Sequence, residues 1–288
     1  MSPQSHKPNK NFLIGSYNIL NPFHAVKWRT DEGLNNEGNN NWDEGRRRAI
    51  ISNIQNMNLD ICAIQELSDQ TVNELQVPLE GAQHMMISTL WKHFTEEPEG
   101  AHGVAVLYNP NRFKLVQDRG LQTSQAQYRY ATSVDLKDIS TGFIYRVLSV
   151  HLKGYDPYQQ NLELKTESQK RGDHELTEYI ELCLQGLDPI DGIFVLGDFN
   201  EDAQEMSRRG VNSRQGQLIQ AGFNWTGITC PTETRSQRHI DWIFYKDLHQ
   251  GLHSIKYIEA KQDLSASDHA LTVVNHEPSL NSLTRVII

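Results

Sequence analysis

The sequence lacks long apolar runs and is poor in cysteine. Its 288 residues contain no stretch approaching the roughly 18 consecutive apolar residues that a membrane-spanning helix requires. The three cysteines, Cys62, Cys183 and Cys230, are far apart and form no CxxC pair, which argues against a disulfide framework and a cysteine-bound zinc ion. No apolar run of signal-peptide length precedes Phe12. We therefore expect a cytoplasmic protein, although secretion without a signal would leave no mark in the sequence.

The sequence also lacks an excess of basic residues. Its 27 Lys and Arg face 36 Asp and Glu, so the formal net charge is −9. Proteins that hold nucleic acid by broad neutralisation of its phosphates carry the opposite sign. The charge argues against that class and leaves a locally basic or metal-bearing cleft open. The hydrophobic fraction of 38% is typical of a globular protein and sufficient for a sizeable core.

Short apolar runs between polar breaks predict one α/β domain over residues 11–288, after a disordered lead-in at residues 1–10. Runs rich in β-branched and aromatic residues have the length of strands at positions 12–17, 61–64, 104–108, 143–150, 193–196, 240–245 and 270–274. Apolar residues recur with helical spacing at positions 47–57 and 175–187. Segments rich in Asn, Gly or Pro at positions 31–41 and 96–102 indicate surface loops.

Polar residues that can bind metal follow or flank six of these runs. They are Asn18, Glu66, His151, Asp198 with Asn200, Asp241, and Asp268 with His269. Because the ends of neighbouring strands converge, groups far apart in the sequence can meet there. A single Asp or Asn after a strand is usually a turn former. Glu66 is a poor turn residue, however, and six ends that carry only Asn, Glu, Asp and His indicate a shared site.

The blocks around these residues resemble a known superfamily. In chain order they read SYNIL, IQEL, SVHLKG, LGDFNED, HIDWIFY and SDHALTV. This set is similar to the endonuclease/exonuclease/phosphatase (DNase I-like) superfamily, and SYNIL, HLKG and HIDWIFY are nearest to its nocturnin/deadenylase-like branch. The resemblance implies an α/β fold, a four-layered α/β sandwich with two packed β-sheets flanked by helices and the site at one end.

The resemblance also implies a role for each residue. The superfamily uses Mg²⁺, with Mn²⁺ as a substitute, and these hard ions prefer oxygen ligands. The implied metal ligands are Asn18, Glu66 and Asp268. The implied catalytic residues are His151, Asp198, Asn200, Asp241 and His269. Asp198 positions or deprotonates the attacking water and Asp241 orients His269, while the formal general base stays open because such groups titrate together.

The implied reaction is in-line attack of water on a phosphoester, without a covalent intermediate. The first hypothesis is a Mg²⁺-dependent phosphodiesterase, namely a nuclease that acts on single-stranded nucleic acid or nucleotides. We expect it to be a monomer and not to insert stably into a membrane. The alternative is a phospholipid or inositol-phosphate hydrolase of the same fold. A non-catalytic binding protein is a third hypothesis, but Glu66, Asp198 and His269 are all intact.

Two groups of arginines bear on the substrate. The arginines at positions 46–48 either line a substrate groove or form a solvated helix face. Arg208, Arg209 and Arg214 are predicted to lie on a loop that could reach a second phosphate.

Overall fold

The computed structural model describes most of the chain between residues 11 and 278. The described ranges are 11–21, 42–81, 84–92, 101–122, 130–154, 161–226, 231–232, 237–249, 253–263 and 265–278. The predicted lead-in at residues 1–10, the predicted loop at 31–41 and Cys230 lie outside them. Within these ranges, no helix is both long and apolar enough to cross a membrane.

The first sheet has six strands and carries two helices. Its strands are β1 (Phe12–Asn18), β2 (Ile61–Leu67), β3 (Met85–Lys92), β4 (Ala101–Tyr108), β11 (His253–Lys261) and β12 (Leu271–Pro278), in the order β11-β12-β1-β2-β4-β3. The helices are α1 (Glu44–Asn56) and α2 (Asp69–Gly81). Strands β1 and β2 are parallel, so both end at the same edge of the sheet.

The second sheet also has six strands. They are β5 (Phe113–Gln122), β6 (Tyr130–Asp138), β7 (Ile144–His151), β8 (Gly192–Asp198), β9 (Asn224–Trp225) and β10 (Asp241–Asp247), in the order β5-β6-β7-β8-β10-β9. Helix α3 (Leu162–Cys183) lies between the parallel strands β7 and β8 in the chain. Two short helices follow β8, α4 (Ala203–Arg209) and α5 (Arg214–Gln220), with a 3-10 turn at Gly210–Asn212 between them.

Three buried clusters hold four layers together. One lies between the sheets, one between the first sheet and helices α1 and α2, and one between the second sheet and helices α3 and α5. Both faces of strand β2 are apolar because both are buried. Ile61 and Ala63 join the cluster between the sheets, while Cys62 and Ile64 pack toward the helices. The predicted four-layered α/β sandwich is confirmed.

The central strands match the predicted runs more closely than the helices and edge strands do. The predicted helix at 175–187 begins earlier, at Leu162, because the side chain of Asn161 caps its first turn, and it ends at Cys183. The predicted loop at 96–102 is wrong at its end, since β4 begins at Ala101 in register with Lys92. Strand β5 has no apolar run, because much of its surface faces solvent.

Gly197 lies where β8 passes close to β7, and we predict that alanine there destabilises the protein. Its φ is 146°, and a Cβ would lie 1.9 Å from the carbonyl oxygen of Val150. Gly197→Ala should lower the free energy of unfolding in urea by about 3 kcal/mol. The control is Gly81→Ala, because a Cβ at Gly81 meets nothing within 4 Å. Its stability should stay within about 1 kcal/mol of the wild type. Equal stability of the two variants would contradict the steric argument.

Candidate active site

The eight predicted site residues lie together at one end of the sandwich. Parallel pairing places the end of β1 beside β2 and the end of β7 beside β8, with His151 opposite Asp198. Strand β10 runs antiparallel to β8, so it begins where β8 ends, with Asp241 opposite Asp198. The SDH block precedes β12, which is antiparallel to β1, and so it reaches the same end.

Glu66 reaches the site through a bulge in β2. The pairing with β4 shifts between Gln65 and Leu67, and Glu66 adopts a φ of 61°. Its carboxylate accepts hydrogen bonds from the Asn18 side-chain amide at 2.9 Å and from the Asn21 backbone N–H at 2.8 Å. The local break in the strand therefore aims a buried carboxylate at the end of the sheet.

Asn18 is placed between two carboxylates. Its Nδ2 also donates to Asp198 at 3.0 Å, while its Oδ1 accepts from the Leu20 backbone N–H at 2.9 Å. The nitrogen of the amide, rather than the oxygen expected to bind metal, faces Glu66 and Asp198. In this arrangement Asn18 holds two like charges close together.

Asp198 is buried, and its surroundings oppose its ionisation. Desolvation, together with the nearby carboxylates of Asp241 and Glu66, raises its pKa to about 7, although His269 acts in the opposite direction. The backbone N–H of Asn200 donates to its Oδ1 at 2.7 Å. Asp198 is thus a fixed carboxyl group that can exchange a proton near neutral pH.

His269 and Asp241 form a buried imidazole–carboxylate pair. The distance from His269 Nδ1 to Asp241 Oδ2 is 2.8 Å, and His269 Nε2 lies 4.0 Å from Asp198 Oδ2 and 3.9 Å from Asp268 Oδ1. Burial lowers the pKa of His269, but the carboxylates of Asp241, Asp268 and Asp198 outweigh it and hold that pKa well above its ordinary value. These carboxylates favour the protonated form of the ring, and its Nε2 lies toward the shared centre.

His151 and Asn200 approach the centre from β7 and from the turn after β8. His151 Nε2 is 3.7 Å from Asp198 Oδ2 and 3.8 Å from Glu66 Oε1. Asn200 has a φ of 51°, and its side-chain amide donates to the Leu152 carbonyl at 3.2 Å. For this amide to donate to any other group, it would have to leave the Leu152 carbonyl.

Two residues outside the predicted set hold the site together. Ser267 donates from Oγ to the Asn18 carbonyl at 2.7 Å and accepts from the His269 backbone N–H at 3.1 Å. Thr232 Oγ1 accepts from the Asp241 N–H at 3.0 Å, and its carbonyl accepts from Ala270 at 2.7 Å. Ser267 could have been found, since it begins the SDH block, but no local pattern marks Thr232.

The two arginine groups differ from the sequence expectation. Arg208 and Arg209 lie on helix α4 and Arg214 begins α5, so the predicted loop is wrong. Arg214 is fully buried, and Arg209 pairs with Asp173 and Glu201. Burial keeps the Arg214 guanidinium from a substrate, and the Arg209 guanidinium is engaged by two carboxylates.

Arg46 is also buried, which contradicts a uniformly solvated face at positions 46–48. Its guanidinium donates to the carbonyls of Ala266 at 2.9 Å and Ile19 at 2.5 Å. It therefore joins the end of β1 to the segment before the SDH block, while Arg48 is exposed.

The side chains fit a divalent cation. Glu66, His151 and Asp198 each offer a ligand atom within 4.8 Å of the others, and Asp198, Asp241 and His269 form a second such group. Asp241 Oδ1 is buried and has no hydrogen-bond partner in the described part of the chain. Crowded, buried carboxylate oxygens are the donors that hard cations prefer.

The sequence relationship decides the family. A profile of the Endonuclease/Exonuclease/phosphatase family matches residues 15–269. The chain belongs to this family. The resemblance seen in the six sequence blocks is thereby confirmed. Members of the endonuclease/exonuclease/phosphatase family hydrolyse phosphoesters and typically use a divalent metal ion.

Solved structures share the fold. The human nocturnin catalytic domain with bound sulfate has a TM-score of 0.68 at 18% identity, over 94% of this chain and 94% of that one. ANGEL2, a 2′,3′-cyclic phosphatase, has a TM-score of 0.65 at 15% identity, over 92% and 95%. D. rerio TDP2 humanised by 14 mutations has a TM-score of 0.59 at 16% identity, over 93% and 100%. At these identities the likeness establishes the fold. No curated protein sequence matches significantly.

We predict that this family member binds Mn²⁺ and that Glu66→Gln weakens the binding at least about tenfold. The substitution removes one of the crowded carboxylates while keeping the size of the side chain. Calorimetric titration of metal-free protein measures the affinity, and circular dichroism checks that the variant is folded. The control is Glu74→Gln on α2, where Glu74 pairs with Arg47 near the surface. Equal Mn²⁺ affinity in the two variants would refute the role of Glu66.

Proposed function

We propose that this protein is a Mg²⁺-dependent phosphodiesterase that hydrolyses nucleic acid or nucleotides by in-line attack of water. The observation that supports it is the convergence of Glu66, Asp198, His151 and the His269–Asp241 pair on one point at the end of the sandwich. Such a centre combines cation ligands, a proton acceptor and imidazole hydrogen-bond donors within a few ångströms. Hydrolysis of a charged phosphoester needs all three.

The proposed ion ligands are Glu66 and Asp268, with Asn18 as the third. When bound, a divalent cation polarises a phosphoryl oxygen and offsets the negative charge that develops in the transition state. Because Asn18 Nδ2 contacts Glu66 and Asp198, a direct contact from Asn18 requires its amide to turn. Otherwise Asn18 acts by fixing the separation of the two carboxylates.

The proposed proton acceptor is Asp198. Its pKa of about 7 matches the pH at which a carboxylate can take a proton from water and later release it. The proposed phosphate donors are His151, Asn200 and His269. Asp241 holds the Nδ1 of His269, so its Nε2–H is the one directed at the substrate.

The proposed substrate is single-stranded nucleic acid or a nucleotide, bound by a monomer. A net charge of −9 opposes the approach of a long polyanion by electrostatic repulsion. A short or small phosphodiester carries fewer charges and is repelled less. ANGEL2 has been solved in complex with adenosine-2′,3′-vanadate, and a nucleotide ligand on the same fold supports this choice.

We predict Mg²⁺-dependent hydrolysis of RNA, single-stranded DNA or nucleotides, abolished by EDTA and by Glu66→Gln but not by Glu74→Gln. The assay panel contains labelled poly(A), mixed-sequence single-stranded RNA and DNA, duplex DNA, NADPH, sphingomyelin and an inositol polyphosphate. Long duplex DNA should be a poor substrate at about 0.15 M salt because of the net charge.

Three results would contradict parts of this proposal. Turnover of only sphingomyelin or the inositol phosphate would keep the mechanism and replace the substrate class. Full activity of Glu66→Gln would reject the assigned metal centre. No turnover of any substrate, in protein shown to bind Mn²⁺, would reject the proposed substrates.

We predict that His269→Ala lowers kcat more than Asp241→Asn does. The first change removes the donor, on the order of 10²- to 10⁴-fold, whereas the second only weakens the group that orients and charges it. Both rates are measured at saturating Mg²⁺ on the best substrate of the panel. Equal losses, or a larger loss in Asp241→Asn, would argue against a merely orienting role for Asp241.

A further inference from the structure

One buried arginine joins the two loops that carry His151 and Asp198. Arg214 is the first residue of α5, and its side chain is fully buried. Its guanidinium donates to the carbonyl of Lys153 at 2.9 Å and to the carbonyl of Phe199. Lys153 lies two residues after His151, and Phe199 separates Asp198 from Asn200. A single planar group therefore spans the backbones of both loops.

The charge of this arginine is balanced within the same cluster. Its Nε lies 3.2 Å from Asp173 on α3, and its backbone N–H donates to Glu201, the residue after the GDFN block. Arg209 pairs with both of these carboxylates. Two arginines and two carboxylates thus form a closed network beneath the GDFNED loop, and a buried cation needs such pairing.

The neighbouring backbone shows how tightly the loops are joined. Leu152 donates its N–H to the Asp198 carbonyl at 3.0 Å, and Lys153 donates its N–H to buried Glu175 at 2.8 Å. Helix α3 approaches at Gly172, where a Cβ would lie 1.9 Å from Arg214 Nη2 and 2.6 Å from the Lys153 carbonyl oxygen. Only glycine leaves room for the guanidinium against this helix.

We propose that Arg214 is a positioning residue for the hydrolysis proposed above, on which this inference rests: its guanidinium sets the separation of the His151 loop from the Asp198–Asn200 loop. The group does not touch substrate. Because its donors are held in a rigid fork, the two accepting carbonyls keep one relative placement. A lysine ammonium keeps the charge but is a point donor on a flexible stem, so it does not enforce that placement.

The test compares Arg214→Lys with Arg146→Lys. Arg146 is a matched control because it is equally buried, pairs with Asp135 at 2.8 Å and donates to the carbonyls of Cys183 and Gln185 at the end of α3. It lies five residues before His151 on β7, about 16 Å away along the strand. Both variants lose a buried guanidinium, so both should unfold at a lower temperature.

Only Arg214→Lys should lower kcat. The expected loss of kcat is on the order of 10- to 100-fold, with KM changed by less than about threefold. Displaced site residues stabilise the transition state less well, while substrate binding in the ground state is little affected. Arg146→Lys should keep kcat within about threefold of the wild type. A second pair of variants tests the same contact without changing either arginine. Gly172→Ala, which places a Cβ against Arg214, should reproduce the loss of kcat, whereas Gly81→Ala should not.

Amide hydrogen exchange provides a readout that does not depend on activity. The N–H groups of Leu152 and Asn200 bond to Asp198, and both should exchange at least about tenfold faster in Arg214→Lys than in Arg146→Lys. Equal kcat and equal exchange in the two lysine variants would overturn the proposal. If the wild type hydrolyses nothing on the panel, the proposed function fails, and unequal exchange would still establish the coupling of the loops.

Discussion

Two carboxylates buried against one another are the constraint on which the site depends. Glu66 and Asp198 both contact the same amide nitrogen of Asn18, and like charges at low dielectric repel. Two features reduce this repulsion. A backbone N–H donates to each carboxylate, and two imidazoles lie within about 4 Å of Asp198. Burial, together with the neighbouring carboxylates of Asp241 and Glu66, raises the pKa of Asp198. The same crowding of carboxylates makes the centre suited to a divalent cation.

The pairing of the strands makes this crowding possible. Parallel β1 and β2 end together in one sheet, parallel β7 and β8 end together in the other, and the two sheets face each other. Below the site, the buried side chain of Gln65 links the sheets, since it accepts from Ser16 and donates to Ser149 at 3.3 Å. A satisfied polar layer of this kind favours one relative placement of the sheets over others.

Two buried arginines connect the loops at the site end to other parts of the chain. Arg46 ties the end of β1 to the segment before the SDH block, and Arg214 joins the loops after β7 and β8. Both donate to backbone carbonyls, which remain available whatever side chains the loops carry. The irregular backbone at the site end is thus held by charge-assisted hydrogen bonds.

The sequence by itself determined the central strands, the family and the eight residues that meet at the site. It could do so because those strands are continuous apolar runs and each site residue stands at or beside a strand end. Only the tertiary structure decided that Arg214 and Thr232 bond to the backbone beside the site residues, that the Asn18 nitrogen faces the carboxylates, and that β5 is a strand. Strand partners, buried side-chain contacts and amide orientation depend on residues far apart in the chain, so no local pattern carries them.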